Sequence, residues 1–156
     1  MMEESPALSE LRYGGAGERG MALFHLASLL CTVGDTAAAR THCLHSLYLA
    51  ANAGDALMLS RGLMIMGGLE AAAGRFSRAA CLFGAEAAGR PHQTLAVELA
   101  HPPPTSPAGC AEDLASTRRA LGDDPFEAAW ARGKSLTLEE AARTILTDET
   151  VAVGTA

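Results

Sequence analysis

The side chains that come nearest to a reactive constellation in this chain are His42, Cys43 and His45. Two histidines three apart on a helix share a side, and Cys31 lies on the preceding helical stretch. Zinc demands four donors in fixed geometry, each held by further hydrogen bonds. Cys43, however, falls on an apolar stripe with Ala39 and Leu47, so a core thiol is expected and no metal site is assigned. His25, His92 and His101 have no partners in sequence and read as surface residues.

Three acidic pairs, Glu112-Asp113, Asp123-Asp124 and Glu139-Glu140, offer carboxylates for acid–base work. Neighbours on a helix point about 100° apart and do not converge on one substrate atom. All three pairs sit at predicted helix starts, where negative charge meets the positive end of the helix dipole. They read as caps. Gly15 to Gly20 fits G-x-G-x-x-G, with Asp35 further on. A dinucleotide site needs strands before and after the following helix. LSELRY is a poor strand and THCLHSLYLA is helical in pattern, so the glycine run reads as a linker. No G-x-S-x-G, P-loop, H-E-x-x-H or EF-hand pattern occurs. No catalytic residue, cofactor or metal is assigned, and the chain is not expected to be an enzyme.

The elements that must position these side chains are helical. Shifting the chain on itself by about 40 residues, a period within the range of helical repeats, places Leu23 on Leu63, Leu26 on Met66, Ala27 on Gly67, Leu29 on Leu69, Gly34 on Gly74 and Ala39 on Ala79. Gly34 and Gly74 stop the first helix of each unit, because glycine accepts the left-handed conformation without steric cost. The predicted class is all-α: TPR-like helical-hairpin repeats, a fragment of an α-solenoid, with a C-terminal helical cap. One such unit cannot bury its apolar face alone, so neighbours must stack. Two ordinary hairpins in a bundle are the alternative.

Five segments follow. Residues 1–19 form a flexible N-terminal segment, with a short helix possible from Ser5-Pro6 to Tyr13. Residues 20–90 form the two hairpins: helices over 21–33, 36–53, 56–73 and 76–88. In the first, Leu23, Leu26, Ala27 and Leu30 are expected inward and His25, Ser28 and Thr32 outward. Residues 91–109 are a Pro-rich linker, with a turn at 95–99. Residues 110–147 form the cap: a helix over 111–121, another opened by Asp124-Pro125 and stopped at Gly133, and a third opened by the capping box Thr137 to Glu140. Residues 148–156 are a frayed tail.

The net charge of −6 comes without a basic run, against a nucleic-acid surface, which needs clustered Lys and Arg. The start lacks a signal peptide's pattern, and Met21 to Val33, the longest nearly apolar run, is too short to span a bilayer. A soluble cytoplasmic protein is expected. Cys31, Cys43, Cys81 and Cys110 show no CxxC spacing and read as buried free thiols. Met66, Phe83 and Trp130 mark where a partner or an apolar effector would sit between the hairpins, although methionines at helical spacing and a lone tryptophan also serve as core.

Two blocks carry a resemblance. GGLEAAAGRFSRAACLFGAEAAGR resembles the last helical repeat of large bacterial regulators of the LuxR and AfsR type, signal-transduction ATPases with tetratricopeptide-like repeats. STRRALGDDPFEAAWARGKSLTLEEAARTIL resembles the closing block of the same region, through Leu121-Gly122-Asp123, Ala128-Ala129-Trp130, Gly133 and Leu136 to Ala141. In that family an upstream domain binds the nucleotide and a separate helix-turn-helix domain binds DNA. Neither maps onto this chain. The resemblance implies a non-catalytic interaction and regulatory module, the C-terminal part or remnant of such a regulator. Its partner would be another protein, the upstream ATPase domain or a second copy, with no direct nucleic-acid or membrane contact. Sensing of a small effector is the alternative.

Overall fold

Gly34, Gly54 and Gly74 punctuate the first half of the chain, each at positive φ (83°, 65° and 79°). At each one the helix closes in the same way. The amide of the glycine donates three residues back (Gly34 to Cys31, Gly54 to Ala51, Gly74 to Ala71). The next amide donates five back (Asp35 to Leu30, Asp55 to Ala50, Arg75 to Glu70). This pair of bonds satisfies carbonyls that the helix end would leave bare. The next helix then begins at once.

In this computed structural model residues 6–92, 94, 96 and 110–154 are described, with side chains over 17–92, 94, 96 and 113–149. The described residues form seven helices and no strand: α1 (Pro6–Thr32), α2 (Thr36–Ala53), α3 (Ala56–Ala72), α4 (Phe76–Gly89), α5 (Cys110–Leu121), α6 (Asp123–Lys134) and α7 (Leu138–Gly154). The protein is all-α. Of the Pro-rich linker over 91–109 only residues 91, 92, 94 and 96 are described; its proline run and, apart from Ala96, the turn expected at 95–99 lie outside the described residues.

α1 packs on α2 and α3 on α4; α6 lies along α4, and α7 reaches α2, α3 and α4. The main core joins Phe24, Ala27, Cys31, Cys43, Leu47, Leu59, Leu63 and Met66 to Ala141, Ala142 and Ile145 of α7. Glycines set the closest approaches. Gly62 lies under the Leu47 side chain and Gly67 under the Phe83 ring. Gly84 abuts the Trp130 backbone, and Gly133 abuts the Cys81 carbonyl and the Ala85 amide, so α4 and α6 cross backbone against backbone.

The helix starts follow their caps. Asp35 Oδ1 accepts from the Ala38 amide and Asp55 Oδ1 from the Met58 amide, both at 3.1 Å. Arg75, at the third such turn, makes no side-chain cap. Asp55→Ala is therefore expected to cost about 1 kcal/mol, read as a melting temperature lower by roughly 2–4 °C in far-UV circular dichroism. Thr137 Oγ1 accepts from the Glu140 amide at 3.1 Å, and Glu139-Glu140 occupy the first turn of α7 as expected.

Four expectations change. Residues 6–19 are helical rather than a flexible segment: α1 runs unbroken through the glycine run. The buried Ser46 hydroxyl donates to the Gly20 carbonyl at 2.9 Å, tying that part of α1 to α2. The inward stripe of α1 is Phe24, Ala27, Ser28 and Cys31, while Leu26 is exposed. α6 starts at Asp123 with Gly122 as its cap and continues past Gly133 to Lys134, because that glycine is needed where α6 meets α4. The tail is helical to Gly154.

Candidate functional site

Met66, Phe83 and Trp130 stand inside the packing. Met66 is fully buried in the main core. Phe83 belongs to a second cluster with Ala71 and Ala79, against which the half-buried Trp130 packs. Trp130 also stacks on Phe126, with ring centroids 5.6 Å apart. Phe83 and Trp130 are thus brought together, and Met66 lies in the neighbouring cluster.

The polar feature that sequence reading missed is Glu70. Its side chain is fully buried at the C-terminal end of α3. Arg40 of α2 reaches Glu70 Oε1 at 2.6 Å, and Arg75 grips both carboxylate oxygens at 2.6 and 3.1 Å. Arg78 of α4 lies 3.5 Å from Oε2. Arg40 also holds Glu149 at 3.0 Å and Arg78 holds Asp148 at 3.1 Å. One buried carboxylate therefore links α2, α3, α4 and α7. Burial pushes its pKa upward, but the hydrogen bonds and charges of Arg75 and Arg40 outweigh that and leave it below the usual carboxylate value. A cavity of about 290 Å³ opens beside this cluster, lined by Thr36, Ala37, Arg40, Leu69, Ala72, Ala73 and Arg75.

A second buried carboxylate, Glu86, accepts from the Ser60 hydroxyl at 2.9 Å and from both sides of the Arg90 fork at 2.8 and 2.7 Å. In the sequence Glu70 stands as an isolated acid in a largely apolar helix, followed by Arg75 and Arg78.

The thiols are poorly suited to nucleophilic work. Burial raises the pKa of Cys31, Cys43 and Cys81, and the thiolate is the reactive form. All three are free, and Cys43 Sγ donates to the Gly62 carbonyl at 3.4 Å. Among the described residues no three His, Cys, Asp or Glu side chains are placed to hold a metal. No described helix is long and apolar enough to cross a membrane.

The outer face of α1 is the other candidate. Leu26 is 40%, Leu29 64% and Val33 75% exposed, and Tyr48 on α2 is exposed as well. Forty positions on, Met66 is 0% and Leu69 5% exposed. Gly62, which receives Leu47, has as its counterpart the exposed Ala22. The first hairpin thus leaves open the positions that its neighbour buries. By the same shift of forty, Ala27 and Cys43, both buried in the first hairpin, correspond to Gly67 and Phe83 of the second, where the ring covers the glycine.

Comparison with protein-family models, with curated proteins and with solved structures found no match to this chain.

Proposed function

We propose that this chain is a non-catalytic interaction module, a short TPR-like stack of helical hairpins closed at one end by α5 and α6 and open at the other. The supporting observation is the pair Leu26 and Leu29 on the outer face of α1, exposed where the matching Met66 and Leu69 of the next hairpin are buried. Contiguous exposed apolar side chains mark surfaces that another protein covers. The resemblance of the second hairpin and the closing block to LuxR- and AfsR-type regulators agrees with this reading. It makes the module a scaffold in cytoplasmic signal relay, working on proteins rather than on nucleic acid.

The test is photo-crosslinking in the living host from a reactive residue placed at position 29. The reading expects a defined protein adduct at position 29, none from the exposed Lys134 on the closed side, and loss of the adduct in Leu26→Glu. No adduct at 29, or equal adducts at both positions, would overturn it.

A second reading, sensing of an anionic small effector, has one observation in its favour: the cavity flanked by Arg40 and Arg75. Its volume is near the lower bound of small-molecule sites.

A further inference from the structure

We infer that the cavity beside Arg40 and Arg75 takes a small organic oxyanion, a carboxylate or phosphate head on a short apolar stem, and that this anion displaces Glu149 and frees the end of α7. The inference rests on the second reading above, an anionic effector, and adds what the effector displaces.

The charges carry the first part of the argument. Arg40 and Arg75 are the charged residues that line the cavity. The buried Glu70 balances one guanidinium, and Glu149 of α7, 3.0 Å from Arg40, balances the other. Arg78 faces Asp148 at 3.1 Å and Glu70 at 3.5 Å. Three arginines thus meet three acids, and two of those acids stand near the end of α7. An oxyanion in the cavity therefore exchanges for Glu149 rather than adding to a balanced cluster. Asp35, just ahead of the lining residues Thr36 and Ala37, is exposed and committed to the Ala38 amide.

Free donors carry the second part. Arg75 uses Nε and Nη2 on Glu70, which leaves Nη1. Of the first amides of α2, Thr36 donates to the Gly34 carbonyl, Ala38 to Asp35 Oδ1 and Ala39 to the Asp35 carbonyl. The Ala37 amide is left, at the positive end of the α2 dipole. The carbonyl end of α3, at Ala72 and Ala73, opposes with about half a charge, less than the full charge of Arg40. Leu69, Ala72 and Ala73 form an apolar wall for a short stem, and a volume of about 290 Å³ suits a compact molecule.

The build of α7 carries the third part. Ala141, Ala142 and Ile145 anchor it in the main core, and Ile145 is its last buried residue among those described. One turn later, the partly exposed pairs of Asp148 and Glu149 tie it to α4 and α2. A tethered carboxylate such as Glu149 competes at an effective concentration of about millimolar. A free anion outdoes it through the further contacts with Arg75, Ala37 and Leu69.

The purified chain is titrated with butyrate and with propyl phosphate, against butylammonium and sodium chloride at equal ionic strength. Amide NMR shifts report binding, and hydrogen exchange reports the end of α7. At least one oxyanion is expected to give saturable shifts at Ala37 and Ala73, with faster amide exchange beyond Ile145. Glu149→Gln is expected to bind roughly tenfold tighter, a coupling of ordinary size. Ala72→Trp, at an exposed position, is expected to fill the cavity and abolish binding with unchanged circular dichroism. No saturable shift with either oxyanion, or an equal one with butylammonium or chloride, would overturn the proposal and the effector reading together. Binding that leaves α7 exchange unchanged, or that is no tighter in Glu149→Gln, overturns the displacement while the effector reading stands. Undiminished binding in Ala72→Trp overturns the site.

Discussion

Gly133→Ala is expected to lower the melting temperature by roughly 5–10 °C, although alanine is the better helix former. In an open helix the change would gain about 1 kcal/mol. At Gly133 the added methyl would meet the Cys81 carbonyl and the Ala85 amide. Both are backbone atoms of α4 and cannot rotate away. α6 must therefore lift off α4, loosening Trp130 from Phe83 and Phe126 from Ala80. Overpacking of this kind costs about 1–3 kcal/mol and sometimes more, and at this chain length each kcal/mol corresponds to roughly 2–4 °C. Gly17→Ala is the control: a methyl there meets nothing within 4 Å, so stability should hold or rise. Differential scanning calorimetry of the two variants separates the crossing from any general effect of glycine.

Glu70→Gln is expected to cost about 3 kcal/mol at neutral pH, near the lower end for breaking a buried ion pair. The lower end applies because Arg40, Arg75 and Arg78 are 20%, 51% and 33% exposed and regain water when the charge is lost. The native carboxyl titrates below its unfolded value. Its contribution is therefore complete above the unfolded pKa and disappears as pH falls through the lower folded one. Urea unfolding followed from neutral pH into the acid range should show wild type losing stability there and Glu70→Gln losing less. Parallel curves for the two proteins would remove Glu70 from the account.

The helices and their turns were legible because the signals are local. A glycine at positive φ, followed by aspartate at Asp35 and Asp55, writes the end of one helix and the start of the next within three residues. What was not legible depends on contacts distant in sequence. Gly133 near a helix end reads as a stop, and only the approach of α4 shows that it is a crossing point. The inward side of α1 was misjudged because Leu23, Leu26 and Leu30 outweigh Phe24 and Cys31 in a count of apolar residues. Facing α2 requires the small Gly20 and Ala27 instead. Glu70 escaped notice because one acid in an apolar helix carries no motif. Its meaning comes from three arginines that folding gathers from α2, α4 and the turn between α3 and α4. The exposed apolar residues Leu26 and Leu29 of α1 were present in the sequence at helical spacing, but they shared a helix with a second apolar line, and two overlaid periodicities obscure each other.

The three glycine turns stand at even intervals along the chain, Gly34, Gly54 and Gly74, and that evenness limits how such a chain can change length. One residue inserted within α3 would rotate everything beyond it by about 100° around the helix axis. Glu70 would swing away from Arg40, and Gly67 would no longer lie beneath Phe83. Whole hairpins can be gained or lost at the turns without disturbing that phase. Lengthening by duplication is mechanically open to this protein; lengthening residue by residue inside its rods is closed.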